Sequence, residues 1–211
     1  DAQACIRWLL SNPVTRDHVD VLASHLTIGE TYFFREKQSL DVLEKQILPP
    51  LLRARSEGER RLRIWSAGCS TGEEAYSIAM LLDRMIPDPA AWNVTVLATD
   101  INPRSLKKAA EGVYGEWSFR GAPDWIKARY FKALDNGRFE LQPHIRSRVT
   151  FAHLNFADDI YPSLLNNTNA MDVIFCRNVL IYFTAPHRRK GLANSHAPPV
   201  ACGSRWLTPR S

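Results

Sequence analysis

Apolar residues recur with two different periods along the chain, and the alternation between these periods predicts strands followed by helices. Four runs have the composition of buried strands, and they cover residues 62–66, 92–99, 149–154 and 171–176. Helical spacing follows the first run up to about Met85, and it follows the second run from Asn102-Pro103 to about Glu111. This order predicts an α/β fold with a doubly wound, Rossmann-like parallel sheet.

The segment 112–148 interrupts this alternation. It is rich in aromatic residues and contains the turn signal Asp135-Asn136-Gly137 ahead of a second β-rich run. Asn-Gly between two such runs is typical of a β-hairpin. We therefore expect a small antiparallel β-subdomain to be inserted into the main domain over residues 112–148.

The two ends of the chain have different patterns from the middle. Residues 1–25 carry too few apolar residues to build a core, so we interpret them as the remnant of an N-terminal helical domain that precedes a main domain at 26–190. Residues 191–211 have three prolines and no sustained apolar run, which predicts an atypical tail without a core strand. The sheet is accordingly expected to be incomplete at its C-terminal end, as after an altered reading frame or a replaced terminus.

Between the first strand and its helix the chain has small residues, with Gly68 and Gly72 four positions apart. Glycines let the backbone bend and approach a ligand, and the helix start offers free N–H groups. The acidic pair Glu73-Glu74 stands where a diphosphate would lie and would repel it. The turn therefore suits a nucleoside without phosphates, such as S-adenosylmethionine. An ordinary strand–turn–helix connection with two first-turn carboxylates is the alternative, and the spacing alone leaves both open.

Polar residues stand at the ends of the later strands, where ligands bind in open α/β sheets. Asp100 follows Gly72 by 28 residues and can accept hydrogen bonds from two ribose hydroxyls, or it can cap the next helix. Asn155 and Asn178 can bond an adenine or the methionine part, although each alone is more typical of a turn.

Overall composition narrows the classes of function. The formal net charge of the 211 residues is +5 and the basic residues are spread along the chain, so we expect no nucleic-acid partner. No apolar stretch reaches the roughly 20 residues of a membrane span, so no membrane insertion is expected. The four cysteines form neither a metal-ligand pair nor a disulfide framework. This favours a cytoplasmic protein without a metal. We also expect the protein to be a monomer.

Four stretches together resemble the CheR-type chemotaxis receptor methyltransferases, and the resemblance covers about residues 26–190. The most specific stretch is the string Cys-Arg-Asn-Val-Leu-Ile-Tyr-Phe. The four stretches, in chain order, are 26–35, 65–77, 98–101 and 175–183.

The resemblance implies a protein-glutamate O-methyltransferase that uses S-adenosylmethionine. Such an enzyme transfers the methyl group to glutamate side chains of the cytoplasmic domain of chemoreceptors, giving glutamyl methyl esters and S-adenosylhomocysteine. In some members the β-subdomain docks a pentapeptide of the receptor tail. A cofactor-binding but inactive regulatory module that binds the receptor is the alternative.

The resemblance also implies roles for single residues. Arg35, Arg177 and Tyr182 are expected to face the transferred methyl group and the substrate carboxylate. At position 29 some members have a cofactor-contacting Asn where this chain has Gly29, so we leave it out of the expected set. The residues expected to bind the cofactor are Thr31, Arg35, Ala67, Gly68, Glu74, Asp100, Asn155, Phe156, Asn178 and Val179.

A nucleic-acid methyltransferase is a weaker alternative. Amino-methylases of that class usually carry an Asn/Asp-Pro-Pro-aromatic string after the fourth strand, and this chain has Asn178-Val179-Leu180 there. A nicotinamide oxidoreductase is weaker still, because Glu73 and Glu74 occupy the diphosphate position.

Overall fold

The computed structural model describes residues 2–27, 29–156, 161–177, 179, 200–202 and 205–207. The α-helices of this part are Ala2–Ser11 (α1), Arg16–Leu26 (α2), Lys37–Val42 (α3), Leu48–Ser56 (α4), Glu73–Met85 (α5), Pro103–Glu111 (α6), Asp124–Tyr130 (α7) and Pro143–Arg146 (α8). The strands are Arg61–Ala67 (β1), Asn93–Asp100 (β2), Val113–Gly115 (β3), Phe131–Ala133 (β4), Arg138–Leu141 (β5), Val149–His153 (β6), Val173–Cys176 (β7), Val200–Cys202 (β8) and Arg205–Leu207 (β9). A π-helical turn, Leu43–Ile47, joins α3 to α4, and 3₁₀ turns cover Pro89–Ala91 and Glu116–Phe119.

The central sheet has the strand order β6-β2-β1-β7-β8-β9. The first five of these strands run parallel, and β9 pairs with β8 in the antiparallel direction. From β1 the chain adds β2 and β6 on one side and then returns to place β7 on the other side. The carboxyl end of β1 is therefore a topological switch point, the position at which open α/β sheets bind ligands. The predicted α/β fold with a parallel sheet is confirmed.

Buried apolar residues lie on both faces of this sheet. Successive side chains of a strand point to opposite faces, so one strand can supply residues to two clusters. Ile64 and Phe175 belong to the main core, which α5 completes with a nearly continuous run of buried residues. Trp65, Leu97 and Cys176 belong to a second cluster of buried apolar residues. These two layers of packed side chains fix the position of the strands in the fold, including the carboxyl ends at the edge of the sheet.

A separate three-stranded antiparallel sheet has the order β3-β5-β4. The turn between β4 and β5 is closed by a hydrogen bond from the N–H of Leu134 to the carbonyl of Arg138, at 2.8 Å. The hairpin predicted from Asp135-Asn136-Gly137 is therefore confirmed. Tyr114 of β3 anchors this small sheet to the glycine turn by donating its hydroxyl to the carbonyl of Thr71, at 2.8 Å.

The tail differs from its prediction, because β8 and β9 extend the sheet where no core strand was expected. Ile174 and Phe175 of β7 pair with Val200 and Ala201 in parallel register. A strand of this kind is joined through main-chain N–H and C=O groups, so three residues can pair without the long apolar run that the prediction required. The expectation that the tail lacks a core strand is thus corrected for 200–202 and 205–207, while the rest of 191–211 lies outside the described residues.

The division at residues 25 and 190 stays a prediction. Among the helices of the described part, none combines the length and the apolar character that crossing a membrane requires.

Candidate functional site

A cavity of about 300 Å³ lies at the carboxyl ends of β1 and β2, beside the start of α5. Its position agrees with the topological switch point of the sheet. The residues that line it are Thr27, Gly29, Glu30, Thr31, Arg35, Leu40, Gly68, Cys69, Ser70, Glu74, Ser77, Asp100, Ile101, Ser105, Leu154, Asn155, Phe156, Arg177 and Val179.

The glycine turn forms one wall of the cavity and is fixed to the neighbouring strand. The N–H groups of Gly68 and Cys69 both donate to the carbonyl of Thr99, at 2.7 and 2.9 Å. Gly68 and Gly72 have φ angles of +77° and +92°, and a Cβ atom at Gly72 would lie 2.9 Å from Cβ of Ala109. The backbone conformation and the close packing therefore both require glycine, as the sequence predicted.

Asp100 accepts hydrogen bonds from the main chain on both of its carboxylate oxygens. The N–H of Ser70 donates to Oδ2 at 2.7 Å, and the N–H of Asn102 donates to Oδ1 at 2.8 Å. The N-cap of α6 is Asn102, whose side chain accepts from the N–H groups of Arg104 and Ser105. Asp100 is consequently not the cap, and its carboxylate lines the cavity instead. Burial raises the pKa of Asp100, although the main-chain donors oppose the shift.

The neighbouring residues Glu73 and Glu74 form hydrogen bonds with different partners. Glu74 accepts from Oγ of Ser66 at 2.7 Å and lies 3.3 Å from Nη1 of Arg177, on the cavity wall. Burial raises the pKa of Glu74, and the Arg177 charge and the Ser66 hydroxyl both act in the opposite direction. Glu73 is buried away from the cavity and accepts from Oγ1 of Thr71 and Oγ of Ser118. Only Glu74 is therefore placed to meet a ligand.

A strained loop positions Arg35 at the edge of the cavity. The residues on either side of it, Phe34 and Glu36, have φ angles of +57° and +52°, which are unusual for residues with side chains. The N–H of Phe34 donates to Oγ of Ser77 at 3.0 Å. The Arg35 guanidinium donates through Nη1 to the carbonyl of Glu30 and lies 5.7 Å from the Tyr32 ring centroid.

Arg177 holds this loop against α5. Its side chain is 3% exposed, and Nη2 lies 2.9 Å from Oε2 of Glu36. Nη1 donates to the carbonyl of Arg35 at 3.0 Å as well as facing Glu74. These contacts indicate that Arg177 orders the cavity wall. Direct contact with a substrate carboxylate stays a prediction.

Another part of the cavity wall is formed mainly by apolar and aromatic residues. Phe156 stacks on Trp65 with ring centroids 5.3 Å apart and an interplanar angle of 11°. Asn155 and Val179 line the cavity beside it. Such a wall can contact an adenine ring.

The remaining predicted residues are placed as follows. Thr31 and Gly68 line the cavity. The Ala67 side chain is buried in the second apolar cluster, one residue before Gly68. Asn178 and Tyr182 lie outside the described residues.

Sequence reasoning missed Ser70 and left Gly29 out. Ser70 has a φ angle of +50°, and its Oγ donates to the carbonyl of Gly29 at 3.1 Å. Both residues line the cavity, and Ser70 also supplies the main-chain donor to Asp100. The signal for Ser70 was its position between two glycines, where the chain must turn. The 41 residues that separate it from Gly29 gave no indication of their contact.

The residues around the cavity fit S-adenosylmethionine. The Asp100 carboxylate suits a ribose diol, because a carboxylate can accept two hydroxyl donors. A carboxylate at Glu74, beside the glycine turn, would favour a cationic ligand over a diphosphate. An open parallel sheet with these carboxylates at its switch point defines a Rossmann-like methyltransferase domain.

A comparison with models of protein families identifies the methyltransferase family to which this domain belongs. The family model described as CheR methyltransferase, SAM binding domain matches residues 29–199, and the chain belongs to this family. The resemblance inferred from four motifs is thereby confirmed, and S-adenosylmethionine is the cofactor of the domain. The match continues past residue 190, where the motif-based resemblance ended.

Curated relatives agree with this assignment. The chain is 39% identical to a chemotaxis protein methyltransferase of Borreliella burgdorferi over 82% of its own length and 60% of the relative's. It is 39% identical to chemotaxis protein methyltransferase 1 of Pseudomonas aeruginosa over 84% and 64% of the two chains. A probable biofilm formation methyltransferase, WspC, of Pseudomonas putida is 38% identical over 82% of this chain and 39% of WspC. The chain thus spans about three fifths of the length of the two chemotaxis relatives.

Proposed function

We propose that the protein transfers the methyl group of S-adenosylmethionine to glutamate side chains of a chemoreceptor cytoplasmic domain. The observation that carries the proposal is the position of Arg35, which lines the cofactor cavity at its edge. Within the described residues, the only hydrogen bond of its guanidinium is the one from Nη1 to the Glu30 carbonyl. The rest of the planar fork can bind a carboxylate in a bidentate manner.

The chemistry of a glutamate substrate needs no general base, since its carboxylate is already ionised at neutral pH. One carboxylate oxygen attacks the methyl carbon in line with the carbon–sulfur bond. A carbon–oxygen bond forms as the carbon–sulfur bond breaks, and the bond pair leaves with the sulfur of S-adenosylhomocysteine. Because no proton is transferred, catalysis depends on holding the two reactants in line and on excluding water.

The residues have separate parts in this proposal. The ribose hydroxyls are held by Asp100, and Glu74 faces the charged methionine part of the cofactor. Arg35 orients the substrate carboxylate, with Arg177 beside it. The family resemblance assigns the Tyr182 hydroxyl to one oxygen of this carboxylate. The adenosyl group lies among Asn155, Phe156 and Val179, with Thr31 and Gly68 at the remaining edges, and the family resemblance adds Asn178 to this set.

Methyl transfer from radiolabelled S-adenosylmethionine to receptor-containing membranes tests the proposal. We expect base-labile label on protein, and mass spectrometry should locate it as an ester on glutamate. The alternative, a regulatory module that binds cofactor without turnover, predicts normal binding of S-adenosylhomocysteine and no label. Base-stable label on lysine or arginine side chains would contradict the glutamate assignment.

A further inference from the structure

Outside the cofactor cavity, an arginine is held between two aromatic rings. The guanidinium carbon of Arg120 lies 4.0 Å from the centroid of the Tyr32 ring and 4.4 Å from that of Trp117. Its Nη1 also donates to the carbonyl of Trp117 at 2.8 Å. A guanidinium fixed in this way is already oriented for an anion, so little conformational entropy is lost when one binds. We call the three side chains of Tyr32, Trp117 and Arg120 the aromatic–arginine stack.

In the structure, Arg120 forms an ion pair with a carboxylate of the same chain. Nη2 of Arg120 lies 2.9 Å from Oε1 of Glu30, and the Glu30 side chain is 62% exposed. Exposed ion pairs of this kind contribute only about 0–1 kcal/mol, so a carboxylate from another molecule can replace Glu30 at small cost.

Trp117 gives the stack an apolar contact surface. This residue is 70% exposed and lies on the 3₁₀ turn that follows β3 of the small sheet. Tryptophan and arginine are the residue types that most often dominate protein recognition, since they combine a large apolar area with directed polar groups. A polypeptide with a carboxylate matches both the charge of Arg120 and the indole beside it.

The stack lies close to the arginine of the proposed active site. Arg35 and Arg120 both contact the Tyr32 ring, with guanidinium carbons 5.7 and 4.0 Å from its centroid. The two guanidinium carbons are consequently no more than about 9.7 Å apart. Side chains one turn apart on a helix have Cβ atoms about 5–6 Å apart, and two glutamates can extend to span this separation.

We propose that the aromatic–arginine stack binds a second carboxylate of the polypeptide substrate, about one helical turn from the glutamate in the cavity. Glu30 occupies the site until the substrate arrives. This inference rests on the proposed function, since it takes the substrate to be a polypeptide with glutamate side chains. It makes Arg120 and Trp117 determinants of which glutamates are selected.

Calorimetric titration of the full chain, saturated with S-adenosylhomocysteine, tests this assignment. The probe is a blocked, alanine-based helical peptide with two glutamates four residues apart, and its control has glutamine at one of the two positions. We expect the two-glutamate peptide to bind about 10-fold more tightly, as one additional charge-assisted hydrogen bond would give. The Arg120→Ala variant should abolish this difference. The Trp117→Ala variant should weaken binding of both peptides.

Two further variants separate the assignment from a merely structural ion pair. Glu30→Gln removes the competing carboxylate, so it should tighten binding of the two-glutamate peptide, whereas a structural role for the pair would make it act like Arg120→Ala. Lys127→Ala removes one nearby positive charge, paired with Glu116 at 2.6 Å, and should leave the difference between the peptides intact. Thermal unfolding reports whether each variant is folded. Affinity for S-adenosylhomocysteine is a second control for the variants of Arg120, Trp117 and Lys127, which do not line the cavity.

Several results would overturn the assignment. These are equal affinity of the two peptides for the unaltered protein, no binding of either, discrimination that survives Arg120→Ala, or weaker binding by Glu30→Gln. Methyl transfer to the bound peptide is read separately. Discrimination without ester formation would support the stack and contradict the proposed function, whereas ester formation without discrimination would do the reverse.

Discussion

Nη1 of Arg177 lies 3.3 Å from Oε2 of Glu74, so an ion pair joins the residue after β7 to the first turn of α5 beside the cofactor cavity. The same guanidinium bonds the carbonyl of Arg35 and the carboxylate of Glu36. One buried side chain thus connects the cofactor-facing carboxylate with the strained loop that carries the proposed substrate-binding arginine. We expect changes at this pair to affect stability, cofactor binding and catalysis together.

The first prediction concerns the stability of this buried pair. Arg177→Ala leaves Glu74 without its cation, and breaking a buried ion pair in this way costs about 3–5 kcal/mol. Urea denaturation should show the loss as a lower midpoint. The double variant Arg177→Met with Glu74→Gln removes both charges and should recover at least half of the lost free energy of unfolding. A double variant as unstable as Arg177→Ala alone would mean that the cation acts through Glu36 or the main chain.

The second prediction concerns the binding of the cofactor by Asp100. Asp100→Ala should weaken S-adenosylhomocysteine binding by about 10- to 100-fold, because hydrogen bonds to a charged group contribute about 1.5–3 kcal/mol. Calorimetry provides the measurement. Asp135→Ala, which removes an exposed carboxylate from the β4–β5 turn, is the control and should bind normally. If Asp100→Ala bound S-adenosylhomocysteine as tightly as the unaltered protein, the assignment of Asp100 to the cofactor site would be wrong.

The sequence was informative where the chemistry is local. The Gly68–Gly72 turn, the strand ends and Asp100 were predicted from spacing, and they come together because parallel strands end at one edge of the sheet. Spacing alone could not show which of Glu73 and Glu74 faces the cavity, although the family resemblance selected Glu74. That choice depends on hydroxyl partners such as Ser118, which lies 45 residues from Glu73.

The pattern of apolar and polar residues could not predict contacts between segments that are far apart in the chain. The Arg177–Glu36 contact joins residues that are far apart in the chain, and the left-handed conformations of Phe34 and Glu36 break the local preferences of those residue types. The pairing of β8 was missed for a related reason. Three residues carry too little periodicity to predict a strand, and their partner on β7 supplies the main-chain groups that make them one.

The third prediction concerns the proposed substrate-binding arginine. Arg35→Ala should lower the rate of methyl transfer by at least about 100-fold, as expected when a positioning interaction of about 3 kcal/mol is lost. Arg35→Lys keeps the charge but not the bidentate fork, so its rate should be intermediate. The affinity for S-adenosylhomocysteine should fall less than the rate in both variants. We expect the same pattern for Tyr182→Phe, and an equal loss of binding and rate would contradict these roles.

The fourth prediction follows from the direction of the carboxyl pKa shifts. Burial raises the pKa of Asp100 and of Glu74 above the ordinary values of 3.8 and 4.5. Folding of the cofactor-free protein therefore favours the protonated carboxyls. Their stabilising contribution is full below the ordinary values and is lost as the pH rises through the raised ones.

Cofactor binding should show the opposite dependence on pH, since it uses the ionised carboxylates. Affinity for S-adenosylhomocysteine should fall on acidification, and the fall should begin at a pH above those ordinary values. Glu74→Gln removes one of the two titrating groups and should make the decline less steep. Calorimetric titrations across the acidic range, with circular dichroism to confirm folding, provide the measurement. An affinity that is independent of pH down to pH 4 would contradict the raised pKa values.

The fifth prediction compares two glycines with similar positive φ angles. Gly68 and Gly137 have φ angles of +77° and +70°, so alanine at either position incurs a left-handed penalty of about 1 kcal/mol. At Gly137 no atom lies within 4 Å of the new Cβ, whereas at Gly68 the Cβ would overlap Cγ2 of Val179. Gly68→Ala should therefore cost about 1–3 kcal/mol more than Gly137→Ala in urea denaturation, as overpacking does. Adding Val179→Ala should relieve the excess at Gly68, and equal losses in the two single variants would show that the turn can move away from Val179.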